Sequence, residues 1–200
     1  MNENQYNESA GNGFILSRKG NRKIEGKYVV KDIINQEIND PFGNTQVFKR
    51  IEYITVTFSI SSDPGLFIHL YNPPRKIRPF IDAMSGICGL GFGISSLSIE
   101  PLKLIKELEH KLGYSKITYI ECSGINVDNK ATAKVVLNSE EDSRKSLKSF
   151  IKDSYYKVNK LKAKFDNAEF SGDLEIRSNG SVTYADFPER FIVPILKSSL

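Results

Sequence analysis

Two hundred residues, 40% hydrophobic and 26% charged, suffice for one large domain or two small ones with a core that needs no staples. The net charge of +4 permits nucleic-acid binding without demanding it. The two cysteines, Cys88 and Cys122, lack metal-type spacing and read as reduced buried thiols.

No apolar run approaches the roughly 18 residues of a membrane span, and the polar N-terminus has neither region of a signal peptide. A cytoplasmic protein without membrane contact is therefore expected. Lys outnumbers Arg 20 to 8, a bias typical of AT-rich bacterial or phage genomes.

Residues 1–13 are polar and read as a disordered tail, since they offer nothing to bury against the entropy of ordering. An antiparallel β-rich half follows over 14–93. Phe14, Ile15 and Leu16 begin a first strand, and Arg18, Lys19, Arg22 and Lys23 fall in a turn-like stretch that reads as a solvated hairpin tip. Lys27 to Ile38 forms a second strand, and the turn formers from Asn39 to Asn44 reverse the chain. From Gln46 to Ile60 the chain alternates: Ile54, Val56, Phe58 and Ile60 share one face, Thr55, Thr57 and Ser59 the other. Asp63-Pro64-Gly65 turns into a fourth strand over Leu66 to Tyr71. His69, between Phe67 and Tyr71, reads as a packed or hydrogen-bonded histidine, because no carboxylate or thiol stands at a readable distance.

Arg75, Lys76 and Arg78 sit in a loop stiffened by Pro73, Pro74 and Pro79. A stiff loop loses little entropy on binding, and guanidinium forks suit phosphate, so these three are candidate phosphate or nucleic-acid contacts. Pro79 opens a short helix whose buried stripe is Phe80, Ile81, Met84, Ile87 and Cys88. Gly86, Gly89, Gly91 and Gly93 follow that helix and precede a strand. A dinucleotide fingerprint has the opposite order, so no cofactor is expected.

The second half, 94–200, starts with a strand over Ile94 to Ile99. Pro101 and Gly113 bound a helix with Leu104, Ile105, Leu108 and Leu112 inward and His110 on the wet side. Ile117 to Ile125 and Ala131 to Leu137 form a strand pair around Val127–Lys130. The longest helix is expected from Ser139 to Phe165, capped by Ser139 with Asp142, with Leu147, Ile151, Ser154, Val158, Leu161 and Phe165 on one side. Its other side carries Arg144, Lys145, Lys148, Lys152, Lys157, Lys160, Lys162 and Lys164. Of these, Arg144, Lys145, Lys148, Lys152 and Lys160 are the candidate nucleic-acid contacts, on a surface where counterion release would drive affinity. Asn179-Gly180 marks a hairpin in which both central residues take positive φ. Asp186 and Glu189 start a last helix that Pro194 ends. Phe187, Phe191, Ile192, Ile195 and Leu196 leave an apolar C-terminus that must dock on the core or a partner, and they are the candidate partner-binding residues.

The element order from Ile94 is strand, helix, strand, strand, helix, strand. The fold class is thus α+β: an N-terminal antiparallel sheet of about four strands joined to a half that resembles the ferredoxin-like βαββαβ arrangement, with a C-terminal hairpin and short helix. That arrangement is a superfold and carries no function with it. RNA-recognition motifs stack bases on aromatics of their central strands, and the strands expected there, ISSLSI and ATAKVVL, have none.

Three functions compete. A non-catalytic accessory or subunit protein would bind a protein partner or form a homo-oligomer. A DNA- or RNA-binding module would use the lysine-rich helix and the proline loop. A small hydrolase or nuclease would need carboxylates that meet only in the fold. No catalytic residue, metal ligand or cofactor motif is readable.

Overall fold

The computed structural model describes residues 1–63, 65–89, 91–128, 130–151, 154–167, 171–185 and 189–198. The chain is mixed α+β and divides into two compact units, Met1–Ile94 and Ser95–Leu200.

In the first unit β1 (Asn12–Lys19), β2 (Lys23–Asn39), β3 (Thr45–Ser61) and β4 (Phe67–Tyr71) pair in chain order as an antiparallel meander. The expected alternation in β3 holds where the strand is covered: Val56, Phe58 and Ile60 are buried with Phe14 and Tyr28 beneath helix α1 (Arg78–Cys88), which adds Phe80 and Met84. Their rings interlock, with centroids 4.8 Å apart for Phe14–Tyr28 and 5.3 Å for Phe58–Phe80. The β1–β2 register shifts between Leu16 and Arg18. Gly26 faces that shift, where a Cβ would lie 2.7 Å from the Ile15 carbonyl oxygen, so only glycine lets the strands close there.

Residues 1–13, expected as a disordered tail, fold back onto this sheet. Asn2–Asn4 forms a 3-10 turn, Gln5 bridges Phe14, and Asn7 bridges Asn12. The compensation that the sequence hid is polar. Glu8 accepts hydrogen bonds from Lys31 (2.7 Å), Tyr53 (3.1 Å) and Tyr6 (2.5 Å), which hold its carboxyl down to about 2.

The second unit runs α2 (Pro101–Leu112), β5 (Ser115–Asn126), β6 (Thr132–Asn138), α3 (Ser143–Ile151), β7 (Lys157–Asp166), β8 (Ser171–Arg177), β9 (Val182–Ala185) and α4 (Glu189–Ser198). Its five strands form an antiparallel sheet in the order β6-β5-β7-β8-β9. One core joins the helices to the sheet: Leu104, Ile105 and Leu108 from α2, Leu147 and Ile151 from α3, and Ile192, Ile195 and Leu196 from α4. They meet Ile117, Ile120, Cys122, Leu161, Ala163, Phe165, Leu174 and Ile176 of the strands.

Several expectations are corrected here. Ile94 to Ile99 forms no strand; the Ile99 N–H donates to the Ser178 carbonyl. With that strand missing, β7 pairs directly with β5, so the strand order is not that of the ferredoxin-like arrangement. The long helix over 139–165 is two elements. Leu147, Ile151, Val158, Leu161 and Phe165 fit a helical stripe by spacing, but Leu161, Ala163 and Phe165 also alternate with Lys160, Lys162 and Lys164, and pairing with β5 on one side and β8 on the other selects the strand. The cap moves accordingly: Asp142 Oδ1, not Ser139, accepts from the second helical N–H, that of Arg144, at 2.9 Å.

The Asn179-Gly180 hairpin forms, but with Gly180 alone at positive φ (82°). The Gly180 N–H donates to the Arg177 carbonyl and the Arg177 N–H to the Ser181 carbonyl, a three-residue bulged loop in place of the expected two-residue one. Pro194 lies inside α4 and does not end it, because burial of Ile195 and Leu196 beyond it holds the helix on the core. Cys122 is buried as expected, whereas Cys88 is exposed. Asp186, Phe187 and Lys152 lie outside the described residues, as does Pro64 of the third turn.

Candidate interaction surfaces

The residues expected to form one cationic arc go to three places. Arg144 serves the fold. Its guanidinium donates to both oxygens of Glu109 (3.0 and 2.9 Å), to Asp142 Oδ2 (2.6 Å) and to the Ser115 carbonyl (2.6 Å), and lies 5.2 Å from the centroid of the Tyr114 ring. Glu109 also accepts from the Ser115 hydroxyl (2.7 Å) and backbone N–H (3.0 Å), and Tyr114 donates to Asp142 (2.7 Å). The network ties α2, the start of β5 and the start of α3 together with side chains only 27% (Arg144), 16% (Glu109) and 11% (Asp142) exposed. Burial pushes both carboxyls up, but the hydrogen bonds outweigh it: Glu109 is lowered and Asp142 sits at about 2. All five guanidinium donor directions have acceptors within the fold, so Arg144 has a structural part to play here.

Lys145 and Lys148 stay exposed on the outward side of α3. Lys160 belongs to a different surface, the sheet face that carries no helices. The register Tyr119↔Lys162↔Glu175, Glu121↔Lys160↔Arg177 and Lys116↔Lys164↔Asp173 sets these side chains on that face, because their neighbours Ile117, Ile120, Leu161, Ala163, Leu174 and Ile176 point into the core. Glu175 is ringed by Lys160 (2.9 Å), Arg177 (2.8 Å) and Lys162 (3.7 Å). Tyr119 lies between Lys160 and Lys162, whose ammonium groups are 5.3 and 5.7 Å from its ring centroid. The sheet face therefore does carry an aromatic, on β5, which the fold makes an interior strand.

The proline-stiffened loop offers less free charge than its sequence promised. Arg75 is exposed, Lys76 donates to Asp32 (3.4 Å), and Arg78 pairs with Asp82 one turn on (3.7 Å). His69 lies with its ring 4.1 Å from that of Tyr71, and His110 is exposed as expected. Among the described residues no group of three or more His, Cys, Asp or Glu side chains is arranged to hold a metal ion, and no helix is long and apolar enough to cross a membrane. At the C-terminus Ile192, Ile195 and Leu196 are buried in the core of their own unit and the partly buried Phe191 packs against it, so this segment docks on the core, the first of the two placements expected of it.

The exposed apolar surface lies elsewhere. β2 and β3 pair without interruption from Lys23↔Ser61 to Asn39↔Thr45, but β1 covers β2 only as far as Val30 and β4 covers β3 only from Thr57 to Ser61. Residues 31–39 and 45–53 thus continue as a two-stranded ribbon, about 30 Å long at the usual rise per residue. Its tip is closed by Asp40, whose Oδ1 accepts from the Phe42 and Asn44 N–H groups at 2.9 and 2.8 Å. Ile33, Ile51, Val47 and Tyr53 stand on one face and Ile34, Ile38 and Phe48 on the other, all 37–58% exposed, with Phe42 at the tip 89% exposed. The signal was present in the sequence: Ile33-Ile34 and Val47-Phe48 are adjacent apolar pairs, and a strand with one wet face does not place greasy side chains on both. No protein-family model, curated protein or solved structure matches the chain.

Proposed function

We propose that the chain is a non-catalytic binding subunit that engages another protein chain through the β2–β3 ribbon. The observation that carries this reading is the ribbon itself. An isolated two-stranded hairpin is marginal in water, and this one also exposes apolar side chains on both faces. A partner laid on either face or along either edge offsets both costs, by apolar burial and by pairing of the open backbone groups.

The test compares the full chain with a variant in which residues 34–50 are replaced by Asn-Gly, which joins Ile33 to Ile51 through a two-residue turn. Purified from the cells that make it, the full chain should retain a stoichiometric protein or a second copy of itself. The shortened chain should lose it while keeping the folded circular-dichroism spectrum of the full chain. Equal retention by both, or by neither, refutes the reading.

A second reading, nucleic-acid binding, is favoured by the open sheet face, where Lys116, Lys160, Lys162 and Lys164 surround Tyr119. A backbone tracked by those lysines with a base on the tyrosine fits single-stranded nucleic acid. Binding to a mixed-sequence single strand should weaken steeply with salt and vanish in Lys162→Glu/Lys164→Glu. No binding at low salt removes this reading.

A further inference from the structure

Resting on the ribbon as the binding element, we propose that its occupant is a second copy of this chain, paired antiparallel along the free edge of β3 about a two-fold axis at Ile51. Hydrogen bonding fixes which groups face that edge. The Asp40 N–H donates to the Asn44 carbonyl, so the inward-bonding residues of β3 are the even ones, and Lys31, an odd residue of β2, turns its N–H away from β3 to the Gly11 carbonyl. Val47, Lys49, Ile51, Tyr53 and Thr55 accordingly direct N–H and C=O outward along an edge that β4 does not reach.

Side-chain chemistry selects the register. An axis at Ile51 sets Arg50 of each copy against Glu52 of the other on one face and Phe48 beside Ile54 on the same face. On the opposite face Ile51 meets its symmetry mate, Lys49 meets Tyr53, and Val47 meets Thr55. Neighbouring axes fail: at Lys49, Arg50 or Glu52 the central residue meets its own like charge. Arg50 and Glu52 already pair within one chain at 2.5 Å, so both are held on the side where the mate presents its opposite charge. Charges on an exposed edge usually block pairing between copies, but here the pattern is self-complementary. The result is a continuous sheet with about ten new backbone hydrogen bonds across the axis. The β2 edge is a poorer surface for self-pairing, since Lys31 is engaged by Gly11 and Glu8 and the rest carries the acids Asp32 and Glu37.

The experiment is sedimentation equilibrium of the purified full chain, alone, at micromolar concentration. The wild type should show a dimer. Arg50→Glu and Glu52→Arg should each raise the dimer dissociation constant by about ten-fold or more, since like charges then oppose, and the double exchange should restore it. Ile51→Cys should yield a disulfide-linked dimer on mild oxidation. Asn35→Cys, on the β2 edge, should not. All variants should keep the wild-type circular-dichroism spectrum, because the ribbon lies beyond the core; any fall in melting temperature should match the loss of the dimer. A wild-type monomer overturns the inference, as does cross-linking at residue 35 or failure of the double exchange to rescue. A monomer that still retains a different protein through residues 34–50 leaves the proposed function standing; one that retains nothing refutes both.

Discussion

Arg144→Ala separates the two roles that this side chain can have. Removing the guanidinium leaves Glu109 and Asp142 facing each other at 16% and 11% exposure, with the Ser115 carbonyl also short of a donor. Breaking a fully buried ion pair by deleting one partner costs about 3–5 kcal/mol; partial exposure here reduces that to about 2–4 kcal/mol. For a unit of roughly one hundred residues, each kcal/mol lowers the melting temperature by about 4–8 °C, so a fall of about 8 °C or more is expected.

The effect is pH-dependent with a definite sign. Asp142 and Glu109 are both held below their ordinary values, so their contribution is fully present above the unfolded carboxylate range near 4 and is lost as pH falls below it, the Asp142 share toward about 2. The gap between wild type and variant should be widest at pH 7 and should close between about pH 4 and 2. Urea melts at a series of pH values measure this. A variant as stable as wild type at pH 7 that instead loses polyanion binding would refute the structural role.

Three further outcomes follow from local geometry. Gly180→Ala should cost about 2–4 kcal/mol in a denaturant melt, because φ is 82° and the new Cβ would lie 2.7 Å from Leu97 Cβ; a cost under about 0.5 kcal/mol would deny that packing. Native protein should expose one thiol to a disulfide reagent, Cys88, while Cys122, fully buried and pushed up to about 11, should react only in denaturant; two fast native thiols would contradict the core. Pro194→Ala should stabilise the second unit by about 1–3 kcal/mol by supplying the missing helical N–H, read as a rise in melting temperature, and no gain would mean that the carbonyl at Arg190 is already satisfied.

What could be read from the sequence is what depends on near neighbours. Alternation through Thr55–Ile60, the turn residues from Asn39 to Asn44 and the Pro101–Gly113 helix boundaries are all local, and each appears where expected. The errors arise where partners far along the chain decide. Residues 157–165 satisfy both periods, and only β5 and β8 on either side make them a strand. Arg144 looks like a surface cation because, apart from Asp142, its acceptors come from α2 and β5, 35 and 29 residues away. The greasy C-terminal residues need cover on sequence grounds alone, but which surface supplies it is a tertiary fact. The ribbon is legible in the adjacent apolar pairs Ile33-Ile34 and Val47-Phe48, which place greasy side chains on both faces of strands that have too few flanking strands to cover them.

The meander of the first unit also bears on synthesis. Each of its strands pairs with the one made immediately before it, so hairpins can close as the chain leaves the ribosome, at low loop-closure cost. The second unit cannot assemble this way. Its interior strand β5 must wait for β7, made after β6 and α3, and until then one of its edges is open to misassembly with a neighbouring nascent chain. Slowed translation before residue 157 should therefore lower the yield of folded protein, while the same delay inside the first unit should be tolerated.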